Sequence, residues 1–254
     1  MKKMTRFLCT LLAVCMLCGI PSMTSEAAVV ERGIDVSKWQ GPINWQAVAQ
    51  SGVTFAFIRV GNTLKGIDEY FYYNMLAAQQ AGIKTGVYIY SYAKNVQEAA
   101  MEAQFVLNAI QNVQVSYPVV WDVEDNVHKS LSPEMLSLMA NTFCATIEAE
   151  GYYPMVYSSA NWYKDRIGPV FYDKWVAQWA AACDIPDAAV WQYTSKGSVP
   201  GINGNVDMDY ALKDYSTSIV NTGWVPRSSF LDYYINFKRQ RGWLDLGSAK
   251  YYLG

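Results

Sequence analysis

From Gly33 onward, short apolar runs alternate with longer stretches of helical spacing, and that alternation leaves the chain few folds to choose from. The runs are GIDVS, TFAFIRVG, KTGVYIYSY, PVVWDVE and YPMVYSS. They are rich in β-branched and aromatic residues, as buried strands are. Between them lie NWQAVAQSG, EYFYYNMLAAQQAG, residues 96–111 and SPEMLSLMANTFCATIEAEG. The last has Ser132 as N-cap, Pro133 at its first position and Gly151 past its end, which marks both limits of a helix. Strands joined through helices pair in parallel. Three more strand-like segments follow, KWVAQW, AAVWQYT and VDMDY, with too little chain between them for full crossover helices. Eight such strands predict an α/β fold: an irregular, TIM-like β/α barrel of about five βα units completed by three further strands.

The two ends break the pattern. MKKMTRF is basic, LCTLLAVCMLCGI is apolar but short for a bilayer, and Ser25-Glu26-Ala27 is a small-residue cleavage site. Residues 1–27 read as a secretory signal peptide, so the mature chain is expected outside the cell or on the wall, with no membrane span. Cleavage there removes three basic residues and one acid and takes the formal charge from −2 to −4. Neither value suits a general nucleic-acid binder. At the other end Gly-Trp recurs at Gly223-Trp224 and Gly242-Trp243, and paired tyrosines recur at Tyr233-Tyr234 and Tyr251-Tyr252. These are read as β-hairpin repeats. The expected domains are 28–220, the barrel, and 221–254, a small repeat tail.

Strand ends carry the chemistry. In a β/α barrel the C-terminal strand ends face the open mouth. PVVWDVE places Asp122 and Glu124 on one face, with Trp121 and Val123 turned toward the helices. Asp35 ends the first strand, and Asp207 lies in the eighth, its neighbour in a closed ring. Asp125 falls out of phase and is read as a loop or cap residue. Four acids on one mouth raise at least one carboxyl pKa.

The chain has a single histidine, His128, in the polar loop NVHKS, where it is read as solvated. Cys144 and Cys183, the two cysteines beyond the signal, are read as separate thiols. A cysteine nucleophile with its base, or a His-rich zinc site, is therefore not expected, and neither is a cofactor. Paired carboxylates without these partners suit glycoside hydrolysis. Aromatics reach 15%, with 9 Trp and 19 Tyr, which suits stacking on sugar rings as well as core filling. Tyr88 and Tyr90 (with Tyr92 in the same alternation), Tyr157 and Gln192 are the expected substrate-binding residues.

RGIDVSKWQGPINW, FAFIRVG, GVYIYSYA, VVWDVED, MVYSSANW and VWQYTSKGSVPGINGNVDMD, in that order, resemble the motifs of the glycoside hydrolase family 25 lysozymes, over roughly residues 32–212. The resemblance implies an N-acetylmuramidase that cleaves the β-1,4 bond between N-acetylmuramic acid and N-acetylglucosamine in peptidoglycan. It implies Glu124 as general acid, Asp122 as its partner, and Asp35 and Asp207 as further acids of the rim. An Asp-x-Glu pair also suits a substrate-assisted route, in which the substrate's N-acetyl group attacks. The tail resembles choline-binding-type wall repeats, which implies wall polymers as a second partner. Two other readings remain open in the sequence: a non-catalytic peptidoglycan-binding protein on the same barrel, and a glycosidase of chitin-like chains.

Overall fold

The computed structural model describes residues 28–227 and 229–254; the expected signal peptide lies outside them. Nine strands form the main sheet: β1 (Glu31–Val36), β2 (Phe55–Asn62), β3 (Gly66–Ile67), β4 (Lys84–Tyr90), β5 (Val119–Asp122), β6 (Pro154–Ser159), β7 (Asp173–Ala177), β8 (Ala188–Gly197) and β9 (Val206–Ala211). Five helices join them: α1 (Trp45–Gln50), α2 (Phe71–Gln80), α3 (Val96–Ala109), α4 (Pro133–Ala149) and α5 (Ala160–Asp165). The sheet closes through β1–β2, so eight strands make a barrel and β3 hangs on β2 as a short flap. Around the barrel, pairing is parallel from β1 through β8, while β9 runs antiparallel to both β8 and β1, and the flap β3 is antiparallel to β2. The fold is the expected irregular α/β barrel.

One expectation needs correction: Asp35 and Asp207 do not stand at matching strand ends. The short segment 198–205 allows only a reversal, so β9 descends from the mouth and Asp207 stands near its start. It reaches the rim all the same, directly opposite Asp35.

Caps fix the helices where the sequence marks them. Ser132 accepts from the Met135 amide at 3.2 Å, and Asn95 accepts from that of Glu98 at 2.9 Å. The helices cover the outside of the barrel with aliphatic residues. The lower half of the interior is packed with rings instead: Phe55 stacks on Tyr117 at 4.6 Å, and Phe57 on Trp175 at 4.4 Å. Gly33 makes room for this plug, since a Cβ there would lie 2.3 Å from the Phe55 ring. The polar groups gather above the plug.

The tail folds as hairpins. β10 (Gly223–Pro226), β11 (Leu231–Ile235) and β12 (Lys238–Arg239) form one sheet, and β13 (Gly242–Asp245) with β14 (Lys250–Leu253) forms another. Trp224 pairs across to Tyr233, and Trp243 to Tyr252. Equivalent residues are thus 19 apart, and the two Tyr-Tyr doublets are offset by one. The first hairpin docks on the barrel's lower end: the Arg239 amide donates to the Gly151 carbonyl at 2.8 Å. Gly151 holds φ +87, and a Cβ there would meet the Arg239 carbonyl. The glycine that ends α4 therefore also admits the tail.

His128 is a second correction. It is fully buried rather than solvated, 6.2 Å from the Trp121 ring and 6.3 Å from that of Trp162. The short helical turn Asn126–Ser130 folds the loop inward. Burial holds the imidazole below its usual pKa, against weaker pulls from the Ala93 backbone and Asp125. Cys144 and Cys183 are free thiols, as read from the sequence.

Candidate active site

A cleft of about 230 Å³ opens at the barrel mouth. Asp35, Asp122, Glu124 and Asp207 line it, together with Tyr88, Tyr90, Tyr157 and Gln192. The structure thus brings all eight sequence-derived residues to one place. β5 ends at Asp122, with Tyr90 and Tyr157 as its cross-strand neighbours. Glu124 stands just beyond the strand and is exposed, whereas Asp122 is buried. Asp125 caps the next turn through the Val127 amide at 2.9 Å and accepts the Tyr90 hydroxyl at 3.1 Å. Tyr92 lies past the end of β4, where the strand alternation has stopped, and lines a neighbouring groove instead.

The electrostatics follow from four acids around one base. Among the described lining residues only Arg59 is basic, and it is already bound to Asp68 at 2.6 Å. Asp122 is pushed well above the usual carboxylate range, by burial first and then by Glu124, with Arg59 opposing. Its Oδ1 is buried without a hydrogen-bond partner among the described residues. Glu124 is raised by partial burial, then by Asp207 and Asp125. Asp35 is raised by burial, then by Asp209 and Asp207. Gln192 spends its amide inside the protein: Nε2 donates to Asp35 at 2.8 Å, and Oε1 accepts from Tyr157 at 3.2 Å and Trp179 at 3.3 Å.

The sequence left several contributors unmarked. Arg59 lies inside the apolar run FAFIRVG. Trp39 lines the cleft and is 77% exposed; Trp179 is 65% exposed. Glu102 on α3 is buried and ties the wall behind Asp122 together. It accepts from Ser91 Oγ at 2.7 Å, Trp121 Nε1 at 2.8 Å, and the amides of Tyr92 and Ala93 at 2.8 and 3.1 Å. Its place on the buried face of α3, between Ala99, Ala103 and Val106, was the available signal. Glu102→Ala would take the acceptor from Ser91 Oγ, Trp121 Nε1 and the Tyr92 amide, while the Ala93 amide keeps a bond to Ser91 Oγ at 3.2 Å. At about 1–3 kcal/mol per orphaned group, chemical denaturation should show a loss of at least about 3 kcal/mol.

Residues 34–202 match the family described as Glycosyl hydrolases family 25. The chain belongs to that family. This family 25 member is accordingly a glycosidase. The protein YegX of Escherichia coli K12 is 32% identical over 194 residues, 72% of this chain and 70% of that protein. Lysozyme M1 of Streptomyces globisporus is 30% identical over 193 residues, 69% of this chain and 66% of that protein. The structure of the modular autolysin LytC from Streptococcus pneumoniae, solved with a synthetic peptidoglycan ligand, superposes with a TM-score of 0.64 at 29% identity. That match takes in 71% of the family 25 chain but only 46% of LytC.

Proposed function

We propose that the chain is a secreted peptidoglycan hydrolase that cleaves the β-1,4 bond between N-acetylmuramic acid and N-acetylglucosamine. One observation carries the reading: Asp122 and Glu124 share a cleft with two further acids yet stand in different environments, one buried, one open. Such a split separates an acid from a charge-stabilising partner. Glu124, at the open end with its carboxyl pKa raised by partial burial and by Asp207 and Asp125, protonates the glycosidic oxygen as the bond to the anomeric carbon breaks. The substrate's own N-acetyl oxygen attacks that carbon, and Asp122 accepts the N–H of the same group. Its unpartnered Oδ1 is a free acceptor for this bond. Water then attacks the anomeric carbon and opens the cyclic intermediate, and Glu124, now a carboxylate, takes the proton that this water gives up. Asp35 and Asp207 shape the field on the far side. Tyr88, Tyr90 and Tyr157 wall the sugar, and Gln192 holds Asp35 and Tyr157 in place. The lysozyme relative and the peptidoglycan-bound LytC structure support this substrate. The basic, apolar, small-residue order of residues 1–27 supports secretion, and no helix of the described residues is long and apolar enough to cross a membrane.

The tail supplies a second wall contact in this reading. The Trp224 ring lies 4.8 Å from Tyr233 and 4.9 Å from Tyr251, both edge-on, so one hairpin's pair is completed by a ring from the next. Such a three-ring cluster attracts cationic groups of wall polymers. Trp243 and Tyr252 repeat the pair, at 5.5 Å, with no third ring among the described residues.

The function is tested by offering purified peptidoglycan and chitin oligosaccharides side by side, with the anomer of the first product followed by NMR. Soluble muropeptides released with retained β-configuration are expected. Faster cleavage of chitin would reassign the substrate, and an inverted product would remove the N-acetyl step. At the mouth, Trp39→Ala should raise KM and leave kcat close to wild type, since an exposed ring binds ground and transition states alike. One stacking ring contributes about 0.5–1.5 kcal/mol, so the rise is roughly 2- to 10-fold in steady-state kinetics.

A further inference from the structure

Beneath the cleft lies a fifth acid that the reaction above does not use. Asp209 is fully buried on β9, paired in register with Gly33 of β1 and Gln192 of β8. Its Oδ1 accepts from Trp175 Nε1 at 2.8 Å. Its Oδ2 is enclosed and meets no donor among the described residues. Asp35 is its diagonal neighbour: it pairs with Asp207, two residues earlier on the same face of β9, and its Oδ2 accepts from Gln192, the cross-strand partner of Asp209. The two carboxyls lie close enough to act on each other directly. No Lys, Arg or His among the described residues pairs with either acid. Two neighbouring carboxylates in a dry interior repel too strongly for both to ionise. A single proton between them supplies the donor that Asp209 Oδ2 lacks and gives Asp35 a second fixed contact.

We propose that Asp35 and Asp209 form an acid pair sharing one proton, with Asp209 the positioning residue that locks the Asp35 carboxyl at the mouth. The consequence for the reaction rests on the hydrolytic reading of Asp35; the shared proton does not. The pair presents one negative charge to the cleft instead of two, and the proton is a property of the pair. Burial raises both carboxyls, and Asp207 on the same strand adds to it. The other groups in the surrounding field are Asp122 at the end of β5, Tyr117 ahead of it, Tyr157 on β6, Tyr88 on β4 and Arg59 on β2. Of these only Arg59 is cationic, and Asp68 already holds it.

The test compares Asp209→Asn with Asp209→Leu in the full chain. An asparagine still accepts from Trp175 and donates an N–H to Asp35, so it imitates the pair with its proton in place. Carbon-13 NMR of labelled aspartates at pH 7 should count one fewer protonated carboxyl in Asp209→Asn than in wild type. Asp35→Asn should remove the same signal. In Asp209→Asn the remaining Asp35 should titrate at lower pH. Its kcat should fall by no more than roughly tenfold, whereas Asp209→Leu, which frees Asp35 to turn, should lose about 10²-fold or more. If Asp209→Leu does not fold, the proton count in the two asparagine variants decides alone. An unchanged count overturns the pair, and so does an Asp209→Asn enzyme as slow as Asp209→Leu. A chain that hydrolyses no glycan but shows the shared proton would leave the pair standing and remove the hydrolytic reading instead.

Discussion

Glu124→Gln should leave a folded chain that binds peptidoglycan and releases almost nothing from it. Glutamine has the shape of glutamic acid but no proton to give. Loss of a positioned general acid costs roughly 10²–10⁴-fold in rate. The loss should fall on kcat, with KM little changed, because the proton moves only as the bond breaks. The fold has little at stake. Glu124 is exposed beyond the end of β5, and its carboxyl makes no hydrogen bond to another described residue. Removing its charge also relieves Asp122, on which Glu124 is the largest of the charged neighbours. Rates of muropeptide release, measured beside a thermal melt, separate lost chemistry from lost structure. A variant that keeps more than about a tenth of wild-type kcat would take the general-acid role away from Glu124.

Asp122→Asn should move activity and stability in opposite directions. Asp122 is buried, its Oδ1 has no partner, and Glu124, Glu102 and Asp125 all oppose its ionisation. Its folded pKa is therefore raised, and the sign of the pH dependence follows. The unfolded chain releases this proton near pH 4, while the native chain holds it to higher pH. As pH rises from about 4 toward the folded value, the native state binds more protons than the unfolded state and stability is lost. Asparagine removes that loss. At pH 7 the variant should gain at least about 1 kcal/mol, a rise in Tm of roughly 2–4 °C for a chain of this size. The gain should vanish near pH 4. Activity should fall by roughly 10²–10³-fold, as when one preorganised electrostatic partner of a transition state is removed. Such a trade is expected where function keeps charge in an apolar wall. A lower Tm for Asp122→Asn at pH 7 would show that the carboxylate is stabilised in the fold after all.

Much of this was legible from local pattern. The strand and helix alternation gave the barrel, because each run had to pair with the next. The caps of α4 were written in Ser132, Pro133 and Gly151. Strand alternation sorted Asp122 from Trp121, and Asp125 behaves as a cap, as its phase required. What escaped depends on contacts between distant parts of the chain. The direction of β9 is set by the short span before it and cannot be seen in VDMDY itself. Asp209 sits in the same five letters as Asp207, but only closure of β9 onto β1 sets it against Asp35. His128 looked solvated because its sequence neighbours are polar; the rings that bury it come from β5 and α5. Arg59 was hidden by the apolar run around it, and its partner Asp68 lies past the flap strand. In the tail, the doublet spacing misaligned the units, and the cross-strand register of Trp224 and Trp243 supplied the true repeat.

The central claim is that the acids at this mouth cut the glycan on the muramic acid side. Its most direct test is digestion of purified peptidoglycan by the mature chain and by Glu124→Gln, with released ends reduced by borohydride and identified by mass spectrometry. Muramitol from the wild type and none from the variant is the predicted result. Glucosaminitol ends, or binding of the wall by a folded wild-type chain with no release at all, would contradict it.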